Sequence, residues 1–157
     1  MLTACQFGNT TAEAEGIARD KIQTELDSYR TVFAERLQGG ESAADLRTAI
    51  PEDLVTLRTS YIGADVDDLR ERFGEELAGL VSVGGNGDEV TTDIFIASTG
   101  NAGGGGSYSQ TRLFACISVS GKEGEVELVT EVVPCPDVIV DSLVRPQDKE
   151  VGKEDLG

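Results

Sequence analysis

The chain has 157 residues, with 13 basic and 29 acidic side chains, a net charge of −16, and no His or Trp. The absence of His removes Ser-His-Asp and Cys-His nucleophile systems and most catalytic zinc sites. The acid excess opposes binding to nucleic-acid phosphates and to anionic membrane surfaces. No run of 18 apolar residues is present, so no transmembrane helix is expected, and the length suits one domain. Arg outnumbers Lys nine to four, a balance that fits an ordinary acidic secreted domain and also a protein of a high-salt proteome.

The chain opens Met1-Leu2-Thr3-Ala4-Cys5. Leu2-Thr3-Ala4-Cys5 resembles the lipobox of prokaryotic lipoproteins, with the small residues Thr3 and Ala4 before the Cys. That resemblance implies cleavage just before Cys5, a diacylglycerol on its thiol, and attachment to the outer face of a membrane. Residues 1–10 would then be a lipobox remnant and tether. No charged region or apolar run precedes Leu2, so a signal peptide is not contained in this stretch. The alternative is an ordinary terminal thiol.

Residues 11–38 read as a long helix. Ala18, Ile22, Leu26, Tyr29, Phe33 and Leu37 recur at the helical period. Thr10 and Glu13 suit a capping box, and Gly39-Gly40 suits the end. A short helix is expected over 42–50, capped by Ser42. From Pro51 to Ile62 the pattern fits a helix, but Val55, Leu57, Thr59 and Tyr61 also alternate as a strand would. A third helix is expected over 65–82, capped by Asp65 and carrying Val66, Leu69, Phe73, Leu77 and Leu80 on one face.

After a glycine-rich break at 84–88 the pattern turns strand-like. Strands are expected over 90–98, 108–120, 125–133 and 137–144. In the second, Leu113, Ala115, Ile117 and Val119 share a face; in the third, Val126, Leu128, Thr130 and Val132 do. Ser120-Gly121-Lys122-Glu123-Gly124 would join those two as a hairpin. The tail 145–157 is polar and is expected to be disordered. Helices followed by strands give an α+β class, with N-terminal helices packed on one face of a C-terminal antiparallel sheet of about four strands. The domain would span 11–144, helical over 11–83 and strand-rich over 90–144.

Three Cys is an odd count. With Cys5 carrying lipid, Cys116 and Cys135 remain as a pair for a disulfide in an oxidising compartment; two buried thiols are the alternative. In a simple hairpin Cys116 would face about Val129, leaving Cys135 about 20 Å away along the strand. A bridge therefore needs a bend at Pro134-Cys135-Pro136 or a different pairing.

Few segments suggest chemistry. Gly100-Asn101-Ala102-Gly103-Gly104-Gly105-Gly106 lacks the Lys of a phosphate loop. It reads as a mobile loop between strands and a candidate partner contact through Asn101, Gly103, Gly104, Ser107 and Tyr108. Asn86, Asp88, Glu89 and Asp93 are oxygen donors near a turn but miss the EF-hand spacing. No catalytic residues, metal ligands or cofactor are assigned, and nucleic acid is not an expected partner. The expected function is a lipid-anchored extracytoplasmic domain that binds an unidentified protein or small ligand, or serves as an accessory subunit. The alternative is a small extracytoplasmic hydrolase using carboxylates or a Ser-Lys pair.

Overall fold

The computed structural model describes residues 9–157. Cys5 and the lipobox-like segment therefore lie outside the described residues. The first element, α1 (Thr10–Gln38), runs 29 residues, about 43 Å at the helical rise. Its seven buried residues, Ala14, Ala18, Ile22, Leu26, Tyr29, Phe33 and Leu37, form the stripe expected from the sequence. The N-cap is Asn9, whose side chain accepts from Ala12 N, rather than Thr10. Gly39 ends the helix, its N–H donating to Arg36 O. The next helix, α2 (Ala43–Ala49), is capped by the Ser42 hydroxyl as expected.

The sheet is mixed and has six strands, not an antiparallel set of about four. Its order is β1 (Thr59–Ser60), β2 (Leu77–Gly84), β3 (Glu89–Gly104), β4 (Ser107–Lys122) and β5 (Leu128–Val133). The outer pair β1–β2 is parallel, and β6 (Lys149–Glu150) runs parallel to β4 beside Leu113 and Phe114. The central hairpin of β3 and β4 is paired over sixteen rungs, from Glu89–Lys122 to Gly104–Ser107.

Helix α1 lies along this hairpin. Ala14 and Ala18 meet Gly100 near one end, and Leu37 meets Gly121 near the other. Between them the Tyr29 hydroxyl donates to Thr92 Oγ1 at 2.6 Å. The core under α1 contains Ile94, Ile96, Leu113, Ala115, Ile117 and Val119, so the residues expected to share a face of β4 are the ones packed under α1. The opposite face carries Phe95, Ala97, Phe114 and Cys116. It is covered by α3 (Val66–Glu71) and α4 (Asp137–Leu143) through Leu69, Ile139 and Leu143. Both faces are thus covered, which explains why the run Ile94-Phe95-Ile96-Ala97 is apolar throughout.

Four expectations are corrected by this arrangement. Pro51–Ile62 forms turns and the two-residue β1, with Val55 at a φ of 57°. The helix expected over 65–82 stops at Glu71, and 77–84 pair with β3 as a strand. Residues 137–143 form a helix rather than a fourth strand, so Ile139 and Leu143 reach the core one turn apart. The segment 145–157 is packed rather than disordered: Val151 is buried beside the core, and Asp148 is closed off from solvent.

Cys116 and Cys135 form a disulfide, with Cα atoms 5.2 Å apart. The register explains how. Gly121 pairs with Leu128 and Cys116 with Val133, because the connection lies at 123–127, further along the chain than the expected turn at 120–124. Cys135 is therefore only two residues past the partner of Cys116, rather than six.

Candidate functional site

Several grooves run along α1, and the hairpin tip forms a further exposed feature. The first groove lies between α1 and the β1–β2 edge and has a volume of about 500 Å³, within the size range of small-ligand sites. Ile17, Lys21 and Thr24 of α1 face Arg58, Glu76 and Ser98 across it. Lys21 Nζ donates to Glu76 Oε1 at 2.9 Å and to Thr99 O at 2.7 Å. Arg58 donates to Glu25 at 2.8 Å. Partial burial pushes the Glu76 carboxyl up, but hydrogen bonds from Lys21, Ser98 and the Thr99 N–H outweigh it, so its pKa is lowered. The neighbouring Glu75 is also lowered, chiefly by the hydrogen bond from the Thr99 hydroxyl. Both therefore carry full negative charge near neutral pH.

The second groove, about 290 Å³, lies between α1 and β5 and is floored by Leu26, Ile117, Leu128 and Val132. Two polar atoms there, Arg30 Nε and Thr130 Oγ1, are buried without a hydrogen-bond partner.

The expected partner-contact residues fall at the end of the β3–β4 hairpin, and the loop reading is corrected. Gly100 to Gly104 are strand, and only Gly105-Gly106 form the turn. Both have positive φ, 62° and 100°, which a tight two-residue hairpin turn demands and glycine supplies. Asn101 and Tyr108 meet across the strands, the Tyr108 hydroxyl donating to Asn101 Oδ1 at 2.6 Å. Gly103 pairs with Tyr108 and Gly104 with Ser107, so the five residues are gathered at one tip. Tyr108 is 70% exposed.

Among the described residues, no group of three or more His, Cys, Asp or Glu is arranged to hold a metal ion. No helix among them is long and apolar enough to cross a membrane. The sequence signal that was missed is Ser98 with Lys21: they are 77 positions apart in the chain, and only the crossing of α1 over β3 brings them to one groove. The fold class is α+β. Comparison with protein-family models, curated proteins and solved structures finds no match for this chain.

Proposed function

We propose that this protein is a lipid-anchored, extracytoplasmic binding or accessory domain, held by a diacylglycerol on Cys5. The observation that carries this reading is the Cys116–Cys135 disulfide. It uses two of the three Cys and suits an oxidising compartment, leaving the Cys of Leu2-Thr3-Ala4-Cys5 as the odd thiol. The groove between α1 and the β1–β2 edge is the candidate ligand site, with Lys21, Arg58, Glu25 and Glu76 offering both charges at its rim. The test is membrane extraction of the protein from its own host, followed by mass analysis of the peptide carrying Cys5. The expected result is a thioether-linked diacylglycerol on Cys5, with Cys5→Ser released to the aqueous phase. An unmodified Cys5 in the mature protein would overturn the proposal.

A second reading, a hydrolase using a Ser-Lys pair, is favoured by the placement of Ser98 and Lys21 in one groove. The hydrogen bonds weigh against it. Lys21 directs its protons at Glu76 and Thr99 O, whereas a general base must offer a lone pair to the serine. A fluorophosphonate probe is expected to leave Ser98 unlabelled; labelling there would favour the hydrolase.

A further inference from the structure

The molecule is strongly acidic, yet two of its segments carry no charge at all. Residues 1–12 contain no Asp, Glu, Lys or Arg, and neither do residues 94–111. The fold brings the ends of these two segments together. Thr10 Oγ1 lies 2.7 Å from Ser109 Oγ, so the start of α1 sits against the outer part of the β3–β4 hairpin. From the rung that pairs Ala102 with Ser109, the hairpin continues through three further residues to Gly105, about 10 Å at strand rise. The four residues from Cys5 to Asn9 can span at most about 14 Å. A lipid on Cys5 would therefore act at the hairpin end. The far end, where Gly124 N donates to Leu37 O, lies about 40 Å along α1, well beyond that span.

We propose that the hairpin tip, Gly103 to Tyr108, is the membrane-facing end of the molecule and rests on the lipid headgroups. This inference rests on the reading of Cys5 as a lipid anchor. Three properties of the tip suit a bilayer surface. It has no carboxylate to be repelled by phosphate groups or desolvated at the interface. Its glycines let the backbone approach closely. Its exposed tyrosine has the amphipathic ring that favours the headgroup layer. The remaining surface carries the acidic charge and would point into the medium. The groove beside Lys21 lies on the flank of α1, so it stays open to ligand in this orientation.

The test uses the chain's own chemistry. With Cys116 and Cys135 bonded to each other, a maleimide lipid couples at Cys5 alone. The protein has no Trp, so one introduced tryptophan reports on its own position. Tyr108→Trp places it at the tip. Val126→Trp places it in the exposed far-end connection, where Val126 is 69% accessible. Each coupled variant is bound to phosphatidylcholine vesicles with and without brominated acyl chains. The expected result is a blue shift and at least about twofold stronger quenching for Tyr108→Trp than for Val126→Trp. Equal quenching, or stronger quenching of Val126→Trp, would overturn the orientation. Ser107→Glu in the Tyr108→Trp background is expected to reduce the quenching. Because the lipid is installed chemically, the outcome does not depend on whether cells lipidate Cys5. Failure of that modification would overturn the function proposed above, while failure here would overturn only the orientation.

Discussion

Arg112 and Asp148 form an ion pair at 2.5 Å, with both side chains almost wholly shielded from water. The guanidinium also donates to Leu143 O and Gly74 O, each at 3.0 Å. Asp148 accepts in turn from the backbone N–H of Arg145 at 2.8 Å. The rings and cations continue the cluster, since Phe73 lies 4.8 Å from the Arg112 guanidinium and 5.2 Å from that of Arg145. One pair thus ties the C-terminal segment to β4, the end of α4 and the stretch after α3. Asp148→Ala strands a buried cation and is expected to cost about 3–5 kcal/mol. Replacing both partners, with Arg112→Met and Asp148→Leu, is expected to cost clearly less than the sum of the single changes. Urea denaturation of Asp148→Ala, of Arg112→Met and Asp148→Leu singly, and of the double variant checks this.

Gly100 is set by close approach rather than by its φ. A Cβ there would overlap the carbonyl oxygen of Ala14 and crowd Ala18 N. Gly100→Ala must push α1 off the hairpin, and the expected loss is about 1–3 kcal/mol, as for other overpacked sites. Gly16 provides the contrast. It lies within α1, and nothing stands within 4 Å of the Cβ it lacks. Gly16→Ala is therefore expected to stabilise by about 0.5–1 kcal/mol through helix propensity alone. Opposite shifts in the thermal midpoints of these two variants are the expected signature.

The long period of α1 and the alternation of β4 were readable because each repeats over several turns or pairs and sets one series of apolar residues against the same core. Other segments deceived for physical reasons. Leu69, Phe73, Leu77 and Leu80 keep helical spacing, yet the ladder from Leu77–Ala97 to Gly84–Thr91 claims 77–84 as a strand. Val138-Ile139-Val140 has strand propensity, and tertiary packing of Ile139 and Leu143 on the Phe95 face overrides it. The glycine run suggested a loop because its composition matches one, although residues 100–104 continue the β3–β4 ladder through its last five rungs. The buried tail had one readable clue. Arg112 shares the inward face of Phe114 and Cys116, and a buried guanidinium there needs a carboxylate from elsewhere. Nothing in a single sequence indicates that Asp148 supplies it. The two grooves were equally hidden, because each is made by α1 crossing strands far away in the chain.

The disulfide closes a sequence separation of 19 residues, and in the chain-entropy model such a loop contributes about 3 kcal/mol. It also staples the start of α4 to β4 on the face opposite α1. Reduction is expected to lower stability by roughly that amount, with amide exchange rising first in 134–143. Cys116→Ala with Cys135→Ala should show the same loss and become insensitive to reductant. The α1 core, on the other face of the sheet, should keep its protection at denaturant concentrations that open α4.

Tyr29 supplies a pH signature for the α1 core. Burial pushes its pKa from 10.0 up to about 12, while the hydrogen bond with Thr92 opposes the shift in part. The sign follows from which state ionises first. Below about pH 10 the phenol is neutral in both folded and unfolded chains, so its stabilising contribution is present in full. Between about pH 10 and 12 the unfolded chain can release the proton and the folded chain cannot. Stability then falls with rising pH, at up to about 1.4 kcal/mol per unit from this group. Tyr61, also raised by burial, adds to the same alkaline loss. Tyr29→Phe removes the titration but also the hydroxyl that donates to Thr92, at a cost of about 0.5–1.5 kcal/mol near neutral pH. The variant is thus expected to be less stable than the parent at pH 7 and to lose less on going to pH 11.5. The two urea midpoints should converge across that range. Parallel curves would mean that Tyr29 ionises as readily in the folded protein as in the unfolded chain.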